Sequence, residues 1–399
     1  MKPPYRIPSM REIFAGPKNG LRVVSTFSGC GGSCLGYRMA GYEVLWANDF
    51  NPNAVASYRA NFPSTIHDQR SIRDITADDI LAATGLRRGE LDLFDGSPPC
   101  QSFSSLGKRE AKWGKVTQYS DGKIAQRNDD LFFEYARVLE GLQPRAFVAE
   151  NVSGLARGVA KGYIVEIIAA LRACGYKVEV KLLDAKFLGV PQSRTRLIFV
   201  GVRNDIGLAP VFPEKLPYVY TVADACPWLA GPAKVIKGSH AFVLTQGLAS
   251  KQPSSTITCN PSSGGCGLVE GAQHHPQDIG IDDVDRAEVP MSDNLLKKWR
   301  GLRIGETHAI NFGLTRSSPS KPARCINAMM GQTNGVAQTT PPNLPRVFTV
   351  VEVKRLCGFP DDFVLLGSRR ERWSRLGNAV VPPMAAAVGR ALAEGVLLK

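Results

Sequence analysis

The sequence lacks any apolar run approaching the roughly 20 residues that a helix needs to cross a bilayer. Its first six residues, Met-Lys-Pro-Pro-Tyr-Arg, also lack the apolar core of a signal peptide. No repeat or low-complexity tract is clear along the 399 residues. These absences predict a soluble protein that has no membrane partner and stays in the cytoplasm.

Metal-ligand spacing is also missing. The nine cysteines form no CxxC pair and no cysteine–histidine cluster with zinc-ligand spacing. Cys30 and Cys34 come nearest, but they flank a glycine turn and have no second ligand pair. We therefore expect no metal, and the odd cysteine count without a secretion signal favours reduced thiols over disulfides.

The length and charge of the chain point to two lobes and a polyanionic partner. A chain of 399 residues exceeds the usual single domain. The net charge of +13 favours nucleic acid, although a solvated basic surface is an equal alternative from charge alone. Placement adds to this, because residues 107–127 carry six basic and two acidic side chains. Further basic clusters occur at residues 297–303 and 369–375.

Strand and helix signals alternate through the first half at the spacing of βαβ units, which indicates an α/β fold. After about residue 204 the composition becomes rich in proline, glycine, serine and threonine, which predicts a loop-rich lobe that extends to about residue 345. Helices are predicted up to about Ala40, from Pro52 onward, near residues 130–142, at 350–356 and at 382–397. Strands are predicted at Leu21–Thr26, Tyr42–Ala47, before Asp95, before Ala149, at Lys177–Leu183 and at Arg196–Val202.

Two short motifs follow apolar strands. Pro98-Pro99-Cys100-Gln101 comes after the strand ending at Asp95, and the double proline forbids a helix there and presents the cysteine in a stiff turn. Glu150 and Asn151 follow another such run. Because strand ends line the ligand crevice of an open α/β sheet, a thiol and a carboxylate could share one pocket.

A glycine turn and two arginines complete the candidate site. Residues 27–32 follow the first strand and open a helix, where glycines let a nucleotide-like ligand approach the backbone. The spacing is not GxGxxG, which disfavours a dinucleotide, and Asp49 ends the next strand where an acid commonly binds ribose. Arg194 and Arg196 could supply the positive charge that activates a thiol. An inert buried thiol, a structural turn and surface arginines are the alternatives for these features taken singly.

Taken together and in this order, the motifs resemble those of the DNA (cytosine-5)-methyltransferases. The resemblance also covers residues 192–196 (QxRxR), 346–361 and 377–383. It implies a Rossmann-like, doubly wound methyltransferase sheet, S-adenosylmethionine as cofactor, and a smaller loop-rich target-recognition lobe. Asp49 stands where the family more often has glutamate. The implied cofactor-binding residues are Phe27, Ser28, Gly29, Cys30, Gly31, Gly32, Asp49, Phe50, Asp74, Ile75, Pro99, Asn378, Ala379 and Val380.

The resemblance also implies roles in catalysis. Cys100 would add to C6 of cytosine, and Glu150, as the neutral acid, would bind N3. Arg196, supported by Arg194, would contact the O2 side, while Asn151 would orient the base or Glu150. An ordered water is the expected base for the C5 proton. The implied organisation is a catalytic domain over residues 1–204, a target-recognition domain over 205–344, and a return to the catalytic domain over 345–399.

Double-stranded DNA is the implied partner, with the target cytosine flipped out of the helix. The preferred reading loops are Thr256–Gly267 and Met329–Gln338, with ordinary surface loops as an equal alternative. A monomer is expected, with a possible cognate restriction endonuclease acting on the same site. The predicted DNA-binding residues are Gln101, Ser104, Lys108, Arg109, Arg127, Thr256 and Asn334.

Three other functions remain possible at this point. An RNA methyltransferase of the same family is the closest, although the loop-rich lobe lacks the Cys-Phe-Thr signature associated with that branch. A catalytically inert DNA-binding relative would not need Cys100, Glu150 and Arg196. A nucleotide-dependent dehydrogenase with a catalytic cysteine would explain the glycine turn, but not the paired arginines or the basic segment.

Overall fold

A seven-stranded sheet forms the centre of the protein, in a computed structural model. The strands lie in the order β3-β2-β1-β4-β5-β7-β6. They are parallel except for β7, which runs antiparallel to both β5 and β6. Their bounds are β1 Arg22–Thr26, β2 Glu43–Asn48, β3 Ile66–Asp68, β4 Leu93–Gly96, β5 Ala146–Val152, β6 Tyr176–Asp184 and β7 Thr195–Arg203. The structure describes residues 2–99, 117–118, 125–126, 131–156, 160–230, 257–260, 265–268, 282–309, 314–328 and 339–399.

Helices cover both faces of the sheet. Alternating side chains on each strand enter opposite cores, as Val23 and Val24 of β1 do. The helices are α1 Met10–Ala15, α2 Gly32–Met39, α3 Pro52–Asn61, α4 Ala77–Thr84, α5 Leu131–Leu142, α6 Ala160–Ala173, α7 Val222–Ala225, α8 Asp283–Arg286, α9 Asp293–Arg300, α10 Val350–Leu356, α11 Arg369–Asn378 and α12 Pro382–Leu392, the last continued by a π-helical turn, Ala393–Leu397.

The predicted elements of the first half are confirmed with small shifts at their ends. Helix α3 starts at Pro52 as predicted, because Asn51 caps its first turn by accepting from the backbone N–H groups of Asn53 and Ala54. Strand β5 runs on to Val152, so Glu150 and Asn151 lie within the strand rather than after it. The short strand β3 was not predicted.

The carboxyl-terminal segment returns to the first half of the chain. Helix α12 packs directly on α2, because a Cβ added to Gly36 would lie 2.4 Å from the carbonyl oxygen of Pro382. Tyr42 donates its hydroxyl hydrogen to the Gly389 carbonyl at 2.7 Å. Residues 382–399 therefore belong to the same packed body as the glycine turn that precedes α2.

One of the basic clusters lies largely inside the protein. Residues 369–375 form most of helix α11, in which Arg372 and Arg375 are buried. Arg372 pairs with Asp282 at 2.6 Å and with Asp285 at 3.0 Å. These two carboxylates lie in and beside α8, so the arginine joins the loop-rich lobe to the carboxyl-terminal segment.

The loop-rich lobe is described in part. Its small core consists of Met291, Leu295, Trp299, Leu302 and Leu314. Short strand pairs join Thr315–Arg316 to Thr339–Thr340 in parallel and Ile257–Asn260 to Gly265–Leu268 antiparallel. A further short pair, Thr117–Gln118 with Ala125–Gln126, lies in the basic segment.

One stretch qualifies the prediction that no apolar run approaches membrane length. Residues Arg369–Leu397 are long and apolar enough to span a membrane by length and composition. However, 67% of the most apolar window is buried inside the protein. That degree of burial is typical of a core helix.

Candidate active site

A carboxylate and a guanidinium meet on one face of the sheet near the ends of β5 and β7. Glu150 lies opposite Ile198 and Arg196 opposite Val152, so the two side chains are diagonal neighbours. The Nε atom of Arg196 lies 2.7 Å from Oε1 of Glu150. Both side chains are nearly buried, with 11% and 13% of their surface exposed for Glu150 and Arg196. The two residues to which the resemblance assigns the N3 and O2 sides of cytosine are therefore in direct contact.

Asn151 holds the turn that leads to Cys100. Its side-chain amide donates to the carbonyl oxygen of Pro98 at 3.1 Å, inside the protein. Pro99, half-buried, is the last described residue before the predicted nucleophile. The sequence predicted that Asn151 orients the base or Glu150, whereas its side chain contacts the proline turn.

Arg194 has a different environment from the one that the sequence predicted. Its side chain is fully buried and donates to three backbone carbonyls, those of Ile326, Gly377 and Ala379, at 2.8–2.9 Å. Burial lowers the pKa of its guanidinium, and the nearby charge of Arg196 adds to this. With both terminal nitrogens committed to carbonyls, Arg194 is not placed to support Arg196 at a base.

The glycine turn, residues 27–32, lies at the carboxyl end of β1, the edge at which an open α/β sheet has its ligand crevice. Gly29 and Gly31 adopt left-handed φ angles of 56° and 96°, and a Cβ on Gly29 would meet open space. Phe27 also has a positive φ of 53°, which is uncommon for an aromatic residue and typical of functional turns. Phe50 is half-buried beside them. A nucleoside could approach the backbone at this open position.

Asp49 fixes the turn from the neighbouring strand. Its carboxylate accepts hydrogen bonds from the backbone N–H groups of Gly29 and Asn51, both at 2.9 Å. Because each carboxylate oxygen has two lone pairs, a carboxylate can accept from several donors at once. An acid, an aromatic ring and exposed backbone together fit an adenosine-like group.

Other predicted cofactor residues contribute mainly structure. Ser28 donates its hydroxyl hydrogen to the Asn48 carbonyl at 3.1 Å. Cys30 is buried, and burial raises the pKa of its thiol to about 12, so it is not a reactive thiol. Asp74 is exposed in a 3₁₀ turn, but the Ile75 side chain is fully buried in the core, where only its backbone could reach a ligand.

The carboxyl-terminal segment closes one side of the crevice. A Cβ on Gly32 would lie 2.3 Å from the Val380 carbonyl oxygen and 3.1 Å from the Ala379 side chain. Asn378 is exposed, and Ala379 and Val380 are half-buried. Ala379 and Val380 therefore lie against the glycine turn, the part of the chain to which the resemblance assigns cofactor binding.

Sequence reasoning missed a buried carboxylate beneath the crevice. Asp95, at the end of β4, accepts from Ser25 Oγ and Ser33 Oγ at 2.7 Å and from Tyr37 Oη at 2.9 Å. These bonds join β1, β4 and α2. Burial raises the pKa of Asp95 from 3.8 to about 6, against the lowering effect of its three hydrogen bonds. The available signal was an aspartate at the end of an apolar strand.

Several predicted residues lie outside the described part of the chain. Within the described residues, no group of three or more histidine, cysteine, aspartate or glutamate side chains could hold a metal. The predicted residues outside it are Cys100, Gln101, Ser104, Lys108, Arg109, Arg127, Thr256 and Asn334.

The sequence is similar to that of known proteins over most of its length. A profile of the C-5 cytosine-specific DNA methylases matches residues 21–394. Type II methyltransferase M1.HphI of Haemophilus parahaemolyticus is 30% identical over 373 residues, covering 93% of this chain and 86% of that protein. Type II methyltransferase M.SacI of Streptomyces achromogenes is 30% identical over 398 residues, covering 94% and 93%.

Solved structures show the same fold. A putative DNA modification methyltransferase encoded within an E. coli prophage superposes with a TM-score of 0.66 at 23% identity, covering 94% of this chain and 99% of that one. The S. pombe Dnmt2 methyltransferase gives a TM-score of 0.54 at 18% identity, covering 94% and 98%. The seven-stranded sheet with its antiparallel β7 is therefore a Rossmann-like methyltransferase fold.

Proposed function

Since the chain belongs to the C-5 cytosine-specific DNA methylase family, we propose that it methylates C5 of a flipped-out cytosine within a short, specific duplex sequence. The chain is a DNA cytosine-5-methyltransferase, and its substrate is DNA. The observation that carries the detailed mechanism is the Glu150–Arg196 pair, next to the proline turn that Asn151 holds and that leads into Cys100.

The donor and acceptor groups of the pair match one edge of cytosine. Arg196 donates N–H groups, which suit O2, and Glu150 carries a carboxyl group, which suits the N3 and N4 side. Negative charge that develops on the ring is then stabilised by the guanidinium.

Cys100 carries the covalent step. Its thiolate adds to C6, forming an S–C6 bond and placing electron density on C5. C5 would then form a bond to the methyl carbon while the bond between that carbon and the sulfonium sulfur breaks, so that a neutral thioether leaves. The C5 proton leaves to a water, the C5–C6 double bond re-forms, and the S–C6 bond breaks to release the thiolate. Asn151 assists by fixing the Pro98 carbonyl and hence the direction of the turn.

S-adenosylmethionine is the proposed cofactor, because the crevice of residues 27–32 suits an adenosine. It supplies an electrophilic methyl group on sulfur. Asp49 would accept from the ribose hydroxyls, Phe50 would pack on the adenine, and residues 378–380 would close the side of the crevice. The glycine backbone allows this approach without side-chain collision.

The remaining parts of the proposal concern partners. Residues 205–344 would read the DNA sequence, and the basic segment at 107–127 would hold phosphates around the extruded base. The type II relatives favour a cognate restriction endonuclease that acts on the same site. We expect a monomer in the cytoplasm.

Transfer of tritiated methyl groups from S-adenosylmethionine tests the mechanism. The wild-type protein should label duplex DNA and not transfer RNA, and Cys100→Ser should lose at least about 1,000-fold in rate, because a hydroxyl is a far weaker nucleophile. DNA containing 5-fluorocytosine should form a stable covalent adduct with the wild type alone, since the fluorine cannot leave as a proton does.

Three results would contradict the proposal. Labelling of transfer RNA alone would assign the RNA branch of the family. Undiminished labelling by Cys100→Ser would remove Cys100 from the chemistry. A wild type that binds duplex DNA and labels neither substrate would indicate an inert relative.

A further inference from the structure

The Arg194 side chain connects three parts of the chain that are distant in sequence. It extends from the residue before β7 and donates to Ile326 at the end of the loop-rich lobe. Its other terminal nitrogen donates to Gly377 and Ala379, 183 and 185 residues away. A single guanidinium thus fixes the carboxyl end of α11 and the lobe segment beside it.

The charge of Arg194 is balanced by carbonyl dipoles. Within the described residues it has no ion pair with a carboxylate, and its Nε atom is buried without a hydrogen-bond partner. Gly377 lies in the last turn of α11 and Ala379 caps it. A cation is stabilised at this position because the carboxyl end of a helix carries partial negative charge.

The α11 end forms the wall of the cofactor crevice. Its next residues, Ala379 and Val380, contact Gly32 so closely that a Cβ on Gly32 would collide with the Val380 carbonyl. On its other side, a Cβ on Gly377 would lie 2.3 Å from the backbone nitrogen of Ala328. The wall therefore fits between the glycine turn and the lobe segment without spare room.

Gln192, two residues before Arg194, strengthens the same connection. Its side-chain oxygen accepts from the Ile326 N–H at 3.1 Å, and its amide donates to the Leu356 carbonyl at 3.4 Å. The backbone of Ser193 donates to the Ala323 carbonyl at 2.8 Å. The segment that precedes β7 is thus joined to the lobe segment by backbone and side chain together.

We propose that Arg194 is a positioning residue of the cofactor crevice, holding the wall formed by residues 377–380 against the glycine turn, and that it does not contact the target base. This inference rests on the proposed function, which supplies the identity of the cofactor. The inference assigns the two arginines to different ligands. Arg196 contacts cytosine, whereas Arg194 supports the binding of S-adenosylmethionine by positioning residues 377–380. Because both side chains extend from the same short segment, that segment also connects the two binding sites.

The conservative variant Arg194→Lys tests this division. Lysine keeps the charge, but its single ammonium cannot reach carbonyls in the separated directions that a planar guanidinium serves. The dissociation constant for S-adenosylmethionine, measured by isothermal titration calorimetry, should rise by about 10-fold or more, within the range typical of coupling through a shared element.

A matched control is available in Arg316→Lys. Arg316 is half-buried in the loop-rich lobe and also donates to two backbone carbonyls, those of Pro342 at 2.7 Å and Leu302 at 2.9 Å. This variant should lose thermal stability and keep wild-type affinity for S-adenosylmethionine. Equal weakening in both variants would indicate a general structural effect and would overturn the inference.

A second measurement distinguishes an effect on cofactor binding from an effect on the activation of cytosine. Addition of Cys100 to C6 makes the C5 hydrogen of cytosine exchangeable, so release of tritium from C5-labelled duplex DNA without cofactor reports on base activation alone. Arg194→Lys should keep this exchange within about 3-fold of wild type, whereas Arg196→Lys should reduce it at least about 100-fold, as loss of a charge-stabilising donor does.

If Arg194→Lys does not fold, Gly377→Ala provides an alternative test of the same inference. The added methyl group displaces the wall from the opposite side and leaves Arg194 intact, so it should weaken cofactor binding and spare the exchange reaction. Wild-type affinity in either folded variant, or loss of exchange in Arg194→Lys, would overturn the inference. A wild type that binds no S-adenosylmethionine would instead contradict the proposed function.

Discussion

Arg194 and Arg196 are separated by one residue, yet their side chains have different surroundings. Arg196 pairs with Glu150 at the mouth of the site, whereas Arg194 is surrounded by backbone carbonyls. The sequence motif identifies both as basic residues before a strand and cannot separate them. At the scale of single residues, the acceptors within about 3 Å decide what a charged group does.

Asp95 shows how burial gives a residue a pH-dependent contribution. Its folded pKa of about 6 lies above the ordinary value of 3.8, because burial disfavours the charged form. The native state therefore holds this proton more tightly than the unfolded chain does. The stabilisation is fully present below about pH 4 and is lost as the pH rises through about 6.

We expect the free energy of unfolding of the wild type, relative to Asp95→Asn, to fall by about 3 kcal/mol between pH 4 and pH 7. Urea unfolding at a series of pH values measures both proteins. Tyr37→Phe removes one hydrogen bond to the carboxylate and should move the fall to higher pH. Parallel profiles for wild type and Asp95→Asn would contradict a titration of Asp95 in this range.

At the scale of elements, the contact between α2 and α12 attaches the end of the chain to its beginning. Gly36 faces α12 so closely that an added Cβ would lie 2.4 Å from the Pro382 carbonyl and 2.9 Å from the Ala386 nitrogen. These are backbone atoms, which cannot move aside as a flexible side chain can. The packing therefore requires glycine here, although alanine favours a helix more.

Gly36→Ala should lower the free energy of unfolding by about 1–3 kcal/mol, because an extra methyl group overpacks the interface. Gly162 in α6 provides the control, since an added Cβ there meets no atom within 4 Å. Gly162→Ala should raise stability by about 0.5–1 kcal/mol through helix propensity. Equal effects of the two substitutions in urea unfolding would show that the α2–α12 contact is loose.

At the scale of the whole molecule, the lysine and arginine residues behind the net charge of +13 fall into two groups. Some cations are structural, such as buried Lys354, which pairs with Asp285 at 3.0 Å, and Arg372 beside it. Others, including Lys297 and Arg300 on α9, are exposed. Only exposed cations can displace counterions from DNA, so the total of 49 lysine and arginine residues overstates the number of possible phosphate contacts.

DNA affinity should still depend strongly on salt. We expect the dissociation constant for the specific duplex to rise at least about 10-fold between 50 and 200 mM salt, because phosphate contacts release bound cations. Fluorescence anisotropy with a labelled duplex measures this. The affinity for S-adenosylmethionine, whose crevice is formed mainly by backbone and aromatic groups, should change less than about 2-fold. A flat salt dependence for DNA would contradict a phosphate-binding surface.

Local signals in the sequence were sufficient for most of the sheet. The strands ending near Asp95 and Ala149, the helix at Pro52 and the return of residues 378–380 were predicted, because apolar runs, caps and proline act over a few residues. The three-residue strand β3 was missed, since so short a segment carries no clear period. The burial of Arg372 and its pairing with Asp282 and Asp285 were not predicted, because these partners lie about 90 residues away in the sequence.

The sequence by itself determined the α/β class, the family and the set of residues that meet at the Glu150–Arg196 pair. Only the tertiary structure decided which of the two arginines pairs with Glu150, that the Asn151 side chain bonds to the Pro98 carbonyl, and that Asp95 is a buried acid. The physical reason is that strands and helix caps follow from neighbours along the chain. Burial and hydrogen-bond partners depend on residues that folding brings together from distant positions, 53 residues apart for Asn151 and Pro98 and 185 for Arg194 and Ala379.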